Sequence, residues 1–271
     1  MLRADTSVRA PLVLLHGLLS TPREFFLISR GLRTRGVRHH ALAIPGYTEG
    51  TRSRQRTGWH AWIDAACAAI EKASPRDEPL ILAGLCTGGL LAAGLALRLG
   101  SRVRGVAMLS PTLSYDGWGL PKWHRWRHLA YWLCVDRFIR IPEREPYGIK
   151  NPDIRRKIAL DMRARSESAA GPSHLPLWAL KENERLISDV RRQAAQLACP
   201  LLVMHAREDE ITQLRSVEGF FASVRALDKR LVVLEDSYHI VTFDNDRHRV
   251  ADELSDFALR VGACGQCGGS Q

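Results

Sequence analysis

The stretch LILAGLCTGGLLAAGLALRLG, residues 80–100, constrains this chain more than any other. It reads as a buried strand, a very tight turn and a helix. At its centre Gly84-Leu85-Cys86-Thr87-Gly88 fits a G-x-nucleophile-x-G turn, with cysteine where serine is usual. A side chain on so sharp a turn is accessible only if its backbone neighbours carry no Cβ to clash, which is why glycines flank it. Cys86 then stands at the first turn of a helix, whose unpaired N–H groups lower a thiol pKa and stabilise an oxyanion. Five residues alone carry little weight, since cysteine is also among the most buried residue types and a small core side chain fits the same place.

A chain of 271 residues can bury a substantial core, either as one large α/β domain or as a domain with an insertion. No apolar run reaches the roughly 20 residues of a spanning helix, and MLRADTSVRA at the N-terminus has no apolar targeting core. The expectation is a soluble, cytoplasmic protein with no transmembrane segment. Cys67, Cys134 and Cys199 lie in apolar stretches and read as reduced core thiols, while Cys264 and Cys267 form a lone C-x-x-C in a glycine-rich tail, residues 264–271. The net charge of +10 is uneven: residues 1–60 hold ten Lys/Arg against three Asp/Glu, and residues 102–165 hold fourteen against six. Such a field suits steering of an acidic acyl-carrier protein, a coenzyme A thioester or an anionic membrane surface, and equally a solubilising arginine-rich surface. No basic helix with base-reading geometry accompanies it, so nucleic acid is not an expected partner.

Taken in order, residues 12–15 make an apolar strand followed at once by His16-Gly17-Leu18. Thr21-Pro22-Arg23-Glu24 supplies a helix start, with a hydroxyl N-cap, proline at N1 and glutamate at N3, and that helix ends at Gly36. Residues 37–44 give a strand, and the apolar spacing from Trp59 to Ile70 gives a core helix. Residues 103–109, 200–206 and 231–234 are further strands, with helices over 213–227 and 245–261. Strands alternating with helices imply a mostly parallel sheet covered on both faces. Residues 112–190 break the rhythm and read as a helical cap or lid over the strand ends, inserted between core segments 1–111 and 191–263. Trp123 and Trp126 in this insertion are candidate substrate-binding residues that line an acyl pocket, touch lipid or merely glue the cap to the body.

Three chemical groups follow three different strands: Cys86, Asp209 in AREDEI, and His239 in DSYHI. In that order a histidine accepts the nucleophile's proton and a carboxylate fixes its tautomer. From LVLLHG through AGLCTGGLLA to PLLVMHAREDEI and LEDSYHIVTFD, the chain resembles the bacterial carboxylesterase and monoacylglycerol lipase family of α/β hydrolases. That resemblance implies the α/β-hydrolase fold, Cys86, Asp209 and His239 as catalytic triad, and the backbone N–H groups of Leu18 and Thr87 as oxyanion hole. It also makes His16 a loop-shaping residue and the stretch 181–192 a return helix from cap to core. Two residues depart from the family: Cys86 replaces serine, and Tyr238 stands where glycine usually precedes the histidine. Cysteine at the elbow is also similar to dienelactone hydrolases and polyhydroxyalkanoate synthases.

The leading expectation is hydrolysis of an acyl ester or thioester through an acyl-thioester on Cys86. Acyl transfer to an amine, alcohol or carrier-bound acceptor is the alternative, and a non-enzymatic binding module a third. The sequence carries no metal-ligand cluster, dinucleotide motif or P-loop, so neither cofactor nor metal is expected.

Overall fold

Strands β1 (Leu12–Leu15), β3 (Leu80–Leu85) and β9 (Leu201–Ala206) are buried along their whole length, and β4 (Val103–Leu109) exposes only Arg104. An unbroken apolar run is what a strand needs when both faces of its sheet are covered. β2 (His39–Leu42) and β10 (Lys229–Leu234) show interrupted burial because they close the two edges. These six strands form one parallel sheet in the order β10-β9-β4-β3-β1-β2 in the computed structural model, which describes residues 10–48, 56–165 and 167–263. The C-x-x-C of Cys264 and Cys267 lies outside the described residues.

Alternation along β3 divides the core. Leu80 and Leu82 join Trp62, Ile63 and Ile70 of α2 (Trp59–Ala73), Leu91 and Leu95 of α3 (Thr87–Leu99), and Phe220 of α7 (Leu214–Ser223). Ile81, Ala83 and Leu85 face α1 (Phe26–Thr34) and α8 (Arg247–Gly262), through Ile28, Leu32, Leu254 and Phe257. Truncating any one of these fully buried leucines to alanine costs about 2–5 kcal/mol, through lost transfer free energy and the cavity left behind.

Where element ends differ from the sequence reading, side chains and caps explain the shift. Val37 donates its amide to the Leu32 carbonyl (2.9 Å) to close α1, and Ile44 donates to Thr48 Oγ1 (2.8 Å), so both stay buried yet lie outside the β2 ladder. The Lys229 ammonium takes the carbonyls of Phe221 (2.8 Å) and Val224 (2.6 Å), which ends α7 short of residue 227.

Between β4 and β9 run α4 (Arg127–Trp132), β5 (Arg140–Pro142), α5 (Pro152–Arg165), β6 (Glu167–Ser168), β7 (Gly171–Pro172), β8 (His174–Pro176) and α6 (Leu177–Arg192). The segment is therefore not helical throughout, because β5 pairs with β8 and β6 with β7 as short antiparallel ribbons. α6 buries Leu186, Ile187 and Val190 in the same core as α3. Arg127 joins α4 to this helix through its ion pair with Glu184, while its guanidinium lies over the Tyr115 ring. The outer side of the segment is apolar yet open to water: Trp126, Trp132 and Phe138 are 69%, 78% and 74% exposed. Cys134, expected in a core, is exposed there too, because the turn at 133–135 leads along this outer side. Among the described residues, no helix is long and apolar enough to cross a membrane.

Candidate active site

The turn from β3 into α3 holds Cys86 at φ +57°, ψ −123°, a backbone state that an L-residue enters at a cost of about 1–3 kcal/mol. Close packing explains the two glycines around it. A Cβ on Gly84 would lie 2.0 Å from the Gly88 carbonyl oxygen, and one on Gly88 would lie 2.0 Å from that of Leu15. The turn is anchored where the Cys86 amide donates to the Leu109 carbonyl at 2.9 Å, extending the β3–β4 ladder. Cys86 is left half-buried, its Sγ 3.0 Å from Thr112 Oγ1 and 3.8 Å from Thr87 Oγ1.

His239 comes from the loop after β10, and acidic side chains hold that loop in place. Asp244 is fully buried and accepts the amides of Tyr238 (2.8 Å), Lys150 (2.6 Å) and Asn151 (2.9 Å), so one carboxylate fixes both the histidine loop and the entry to α5. Tyr238 meets the edge of Trp118 at 5.3 Å, a contact that glycine would forgo. His239 Nδ1 lies 2.8 Å from Asp209 Oδ2, and the other oxygen of Asp209 accepts the amides of Ile211 (2.8 Å) and Thr212 (2.9 Å). Nδ1 therefore carries a proton, and Nε2 is buried with no hydrogen-bond partner among the described residues. Glu210 supports the histidine from its main chain instead, its Oε2 accepting the backbone amide of His239 at 3.1 Å.

Titration follows from this geometry. Burial pushes the Cys86 thiol up, but the His239 imidazole and the Thr112 and Thr87 hydroxyls outweigh it and bring the thiol down to about 7. Burial likewise disfavours a charged His239, yet Asp209 and Cys86 together hold it well above the ordinary histidine range. Asp209 is kept below its ordinary value despite burial, chiefly by His239. Cys86 and His239 thus favour each other's charged forms, as a thiolate beside an imidazolium.

Leu18 and Thr87 line the same cavity as Cys86 and His239, and neither of their amides donates a hydrogen bond to another described residue. His16 shapes this loop as a neutral ring, its Nε2 2.7 Å from Thr48 Oγ1 and its Nδ1 3.0 Å from the Gly17 carbonyl, with burial taking it down to about 4. The inner cavity offers about 700 Å³ of space, part of it open to solvent, and carries Glu24, Glu143 and Glu210 but, among the described residues, no lysine or arginine. Tyr115, Leu175, Leu180 and Ile211 lead from it into an outer cavity of about 930 Å³, walled by Leu120, Pro121, Ile141 and Pro142. Trp126, expected to meet an acyl chain, lines neither cavity; Trp123 lies in the single 3-10 turn Lys122–Trp126 before α4.

Two residues at the site escape a reading of the sequence. Thr112 follows the carboxyl end of β4, the edge of an open α/β sheet where ligands bind, and that position is the signal that finds it. Glu24 carries the signature of a helix-capping glutamate, yet it is 2% exposed and turns inward, its Oε2 accepting the Gly17 amide at 2.7 Å. Among the described residues, no group of three or more His, Cys, Asp or Glu is arranged to hold a metal ion.

Known proteins share this architecture. The chain is similar to the thermostable monoacylglycerol lipase of Bacillus sp. (strain H-257), 20% identical over 90% of this chain and 88% of that protein. It is also similar to a carboxylesterase of Bacillus subtilis (strain 168), 24% identical over 92% of each. Among solved structures, the monoacylglycerol lipase of Paleococcus ferrophilus superposes with a TM-score of 0.75 at 18% identity, covering 93% of this chain and 96% of that one. The α/β-hydrolase fold is thus common to these proteins, and residues 6–246 match the model of one hydrolase family, described as serine aminopeptidase, S33. With that match spanning most of its length, the chain belongs to the serine aminopeptidase S33 family of α/β hydrolases.

Proposed function

We propose that this protein is a carboxylic-ester hydrolase in which Cys86 is the nucleophile, His239 the acid–base and Asp209 the residue that orients it. One observation carries the reading: a buried His239 is bonded to Asp209 at 2.8 Å through Nδ1 and keeps Nε2 unpartnered among the described residues, in the cavity that also holds Cys86. The Cys86 thiolate attacks the ester carbonyl, and the amides of Leu18 and Thr87 take up the charge on its oxygen. As the C–O bond breaks, the alcohol leaves with a proton from His239 Nε2. Water then gives its proton back to Nε2 as it attacks the thioester, which releases the carboxylic acid and restores the thiolate. The segment 112–190 acts as the cap, and the outer cavity beneath it takes the acyl chain. Relatives named as a carboxylesterase and a monoacylglycerol lipase support an ester as substrate.

Transfer to an amine or alcohol is a second reading, favoured by the cysteine itself, because amines and thiols attack a thioester readily compared with water. An acidic carrier protein or coenzyme A as donor draws on the basic surface charge and on Arg127 and Arg144 of the outer cavity; among the described residues the inner cavity offers no lysine or arginine to a phosphate. The test is intact-mass analysis after exposure to p-nitrophenyl butyrate, with and without added amine. Wild-type protein gains one butyryl group and Cys86→Ala gains none, with free butyrate as the main product. Turnover by Cys86→Ala would remove the mechanism, and butyramide as main product would replace hydrolysis by transfer.

A further inference from the structure

Glu24 does not belong to the triad, yet it borders the same cavity. Its carboxyl and the nucleophile's Cβ both come close to one point: a Cβ placed on Gly17 would lie 3.2 Å from Glu24 Oε1 and 3.3 Å from Cys86 Cβ. Glu24 Oε2 holds the Gly17 amide at 2.7 Å, and the next amide along the chain is that of Leu18. Ser20 and Glu24 both line this cavity, and Tyr47, Cys86 and His239 lie within electrostatic reach of the carboxyl. Glu143, Glu210, Tyr115 and Tyr147 are the other ionisable side chains of this lining. Among the described residues no lysine or arginine of the cavity pairs with Glu24, so a negative charge there faces the thiolate and the developing oxyanion with His239 as the cationic neighbour.

We propose that Glu24 is a positioning residue of the oxyanion loop that works as the neutral carboxylic acid: it aims the Leu18 amide through Gly17, and its ionisation shuts off acylation. The inference rests on Cys86 as nucleophile. Burial is the main cause keeping Glu24 neutral, raising its carboxyl to about 8 against the Gly17 hydrogen bond that favours the charged form. A negative charge introduced beside an oxyanion works against the dipoles arranged to stabilise it, and the low local dielectric strengthens that opposition. The consequence is a window: acylation rises as Cys86 ionises near 7 and falls again as Glu24 ionises near 8.

The experiment compares pre-steady-state acylation by p-nitrophenyl butyrate from about pH 5.5 to about pH 10 in wild type, Glu24→Gln and Glu24→Ala. Glutamine still accepts the Gly17 amide but cannot ionise. It should stay within about threefold of wild type at pH 7 and exceed it about tenfold at pH 9, the ratio set by the fraction of Glu24 still neutral there. Alanine, which drops the Gly17 amide and cannot ionise either, should fall at least about tenfold below Glu24→Gln in the acylation rate at every pH with an unchanged Michaelis constant. Wild-type protein supplies a control that needs no variant, since alkylation of Cys86 by iodoacetamide requires the thiolate but no oxyanion hole. That rate should climb through pH 7 and then level, without the alkaline fall expected for the ester. An alkaline fall of the same size in Glu24→Gln, a pH 7 loss in it equal to that of alanine, or identical profiles for alkylation and acylation would each overturn the proposal. Ester turnover by Cys86→Ala would instead remove the nucleophile on which it rests.

Discussion

Replacing Glu24 by glutamine should make the protein more stable, and by an amount that depends on pH. In the unfolded chain a glutamate ionises near 4.5, whereas burial holds Glu24 protonated until about 8. Between those values the unfolded state has released a proton that the folded state retains, so raising the pH favours unfolding. The stability associated with this group is complete below 4.5 and is lost as the pH rises through 8. The gap of about 3.5 pH units corresponds to about 5 kcal/mol at about 1.36 kcal/mol per unit. Glutamine has no proton to lose and keeps a carbonyl for the Gly17 amide. Urea unfolding of both proteins at about pH 4.5, 6.5 and 8.5 measures the difference directly, since subtracting the two linear extrapolations at each pH cancels whatever Glu143 and Glu210 contribute to both. Those two glutamates are raised to about 7 by burial and add the same sign of pH dependence to each variant. The gain from glutamine should be near zero at the acid end and several kcal/mol at the alkaline end. A gain independent of pH would refute the argument, because it would mean that Glu24 ionises alike in both states.

Three further outcomes follow from contacts at the site. Thr112→Val removes the hydroxyl 3.0 Å from Sγ, so the thiol pKa measured by iodoacetamide alkylation should rise, and the rate at pH 7 should fall about three- to tenfold and recover by about pH 9. Asp209→Asn should lower kcat by about 10⁴, whereas Glu210→Gln, which touches only the His239 amide, should cost much less; a larger loss at Glu210 would reassign the orienting carboxylate. Asp244→Ala strands three half-buried amides from two loops and should reduce the free energy of unfolding by about 2–4 kcal/mol, with inactivation preceding global unfolding in a thermal melt.

Legibility tracks how local each determinant is. β3, the elbow and α3 are readable because an apolar run, two glycines and a second apolar run are contiguous, and the close approach of Gly84 to Gly88 happens within a single turn of chain. Cys86, Asp209 and His239 stand out in the sequence by their order after three different strands, and the fold brings Asp209 to 2.8 Å from His239. Glu24 is not, because the pattern T-P-R-E satisfies a helix start whether or not the glutamate turns inward, and only the fold brings Gly17 to it. The place of Trp126 is not readable for a related reason. Helical spacing marks an apolar face, but Trp126 and Trp132 look outward, and nothing in the spacing says which side the body of the protein occupies.

The backbone of residue 86 separates two properties that are usually entangled, architecture and reactivity. Its φ of +57° is imposed by the ladder behind it and the helix ahead, and it weighs equally on any residue with a Cβ. Serine, cysteine and alanine therefore sit under the same tension, and exchanging oxygen for sulfur there leaves the hinge between strand and helix untouched. Glycine alone would release it: Cys86→Gly should fold more firmly than Cys86→Ala by about 1 kcal/mol while losing the reactive atom. A lineage can thus swap the chemical element at the tip of the turn without rebuilding the scaffold, and what holds the scaffold back from its most relaxed sequence is the need to keep something reactive there.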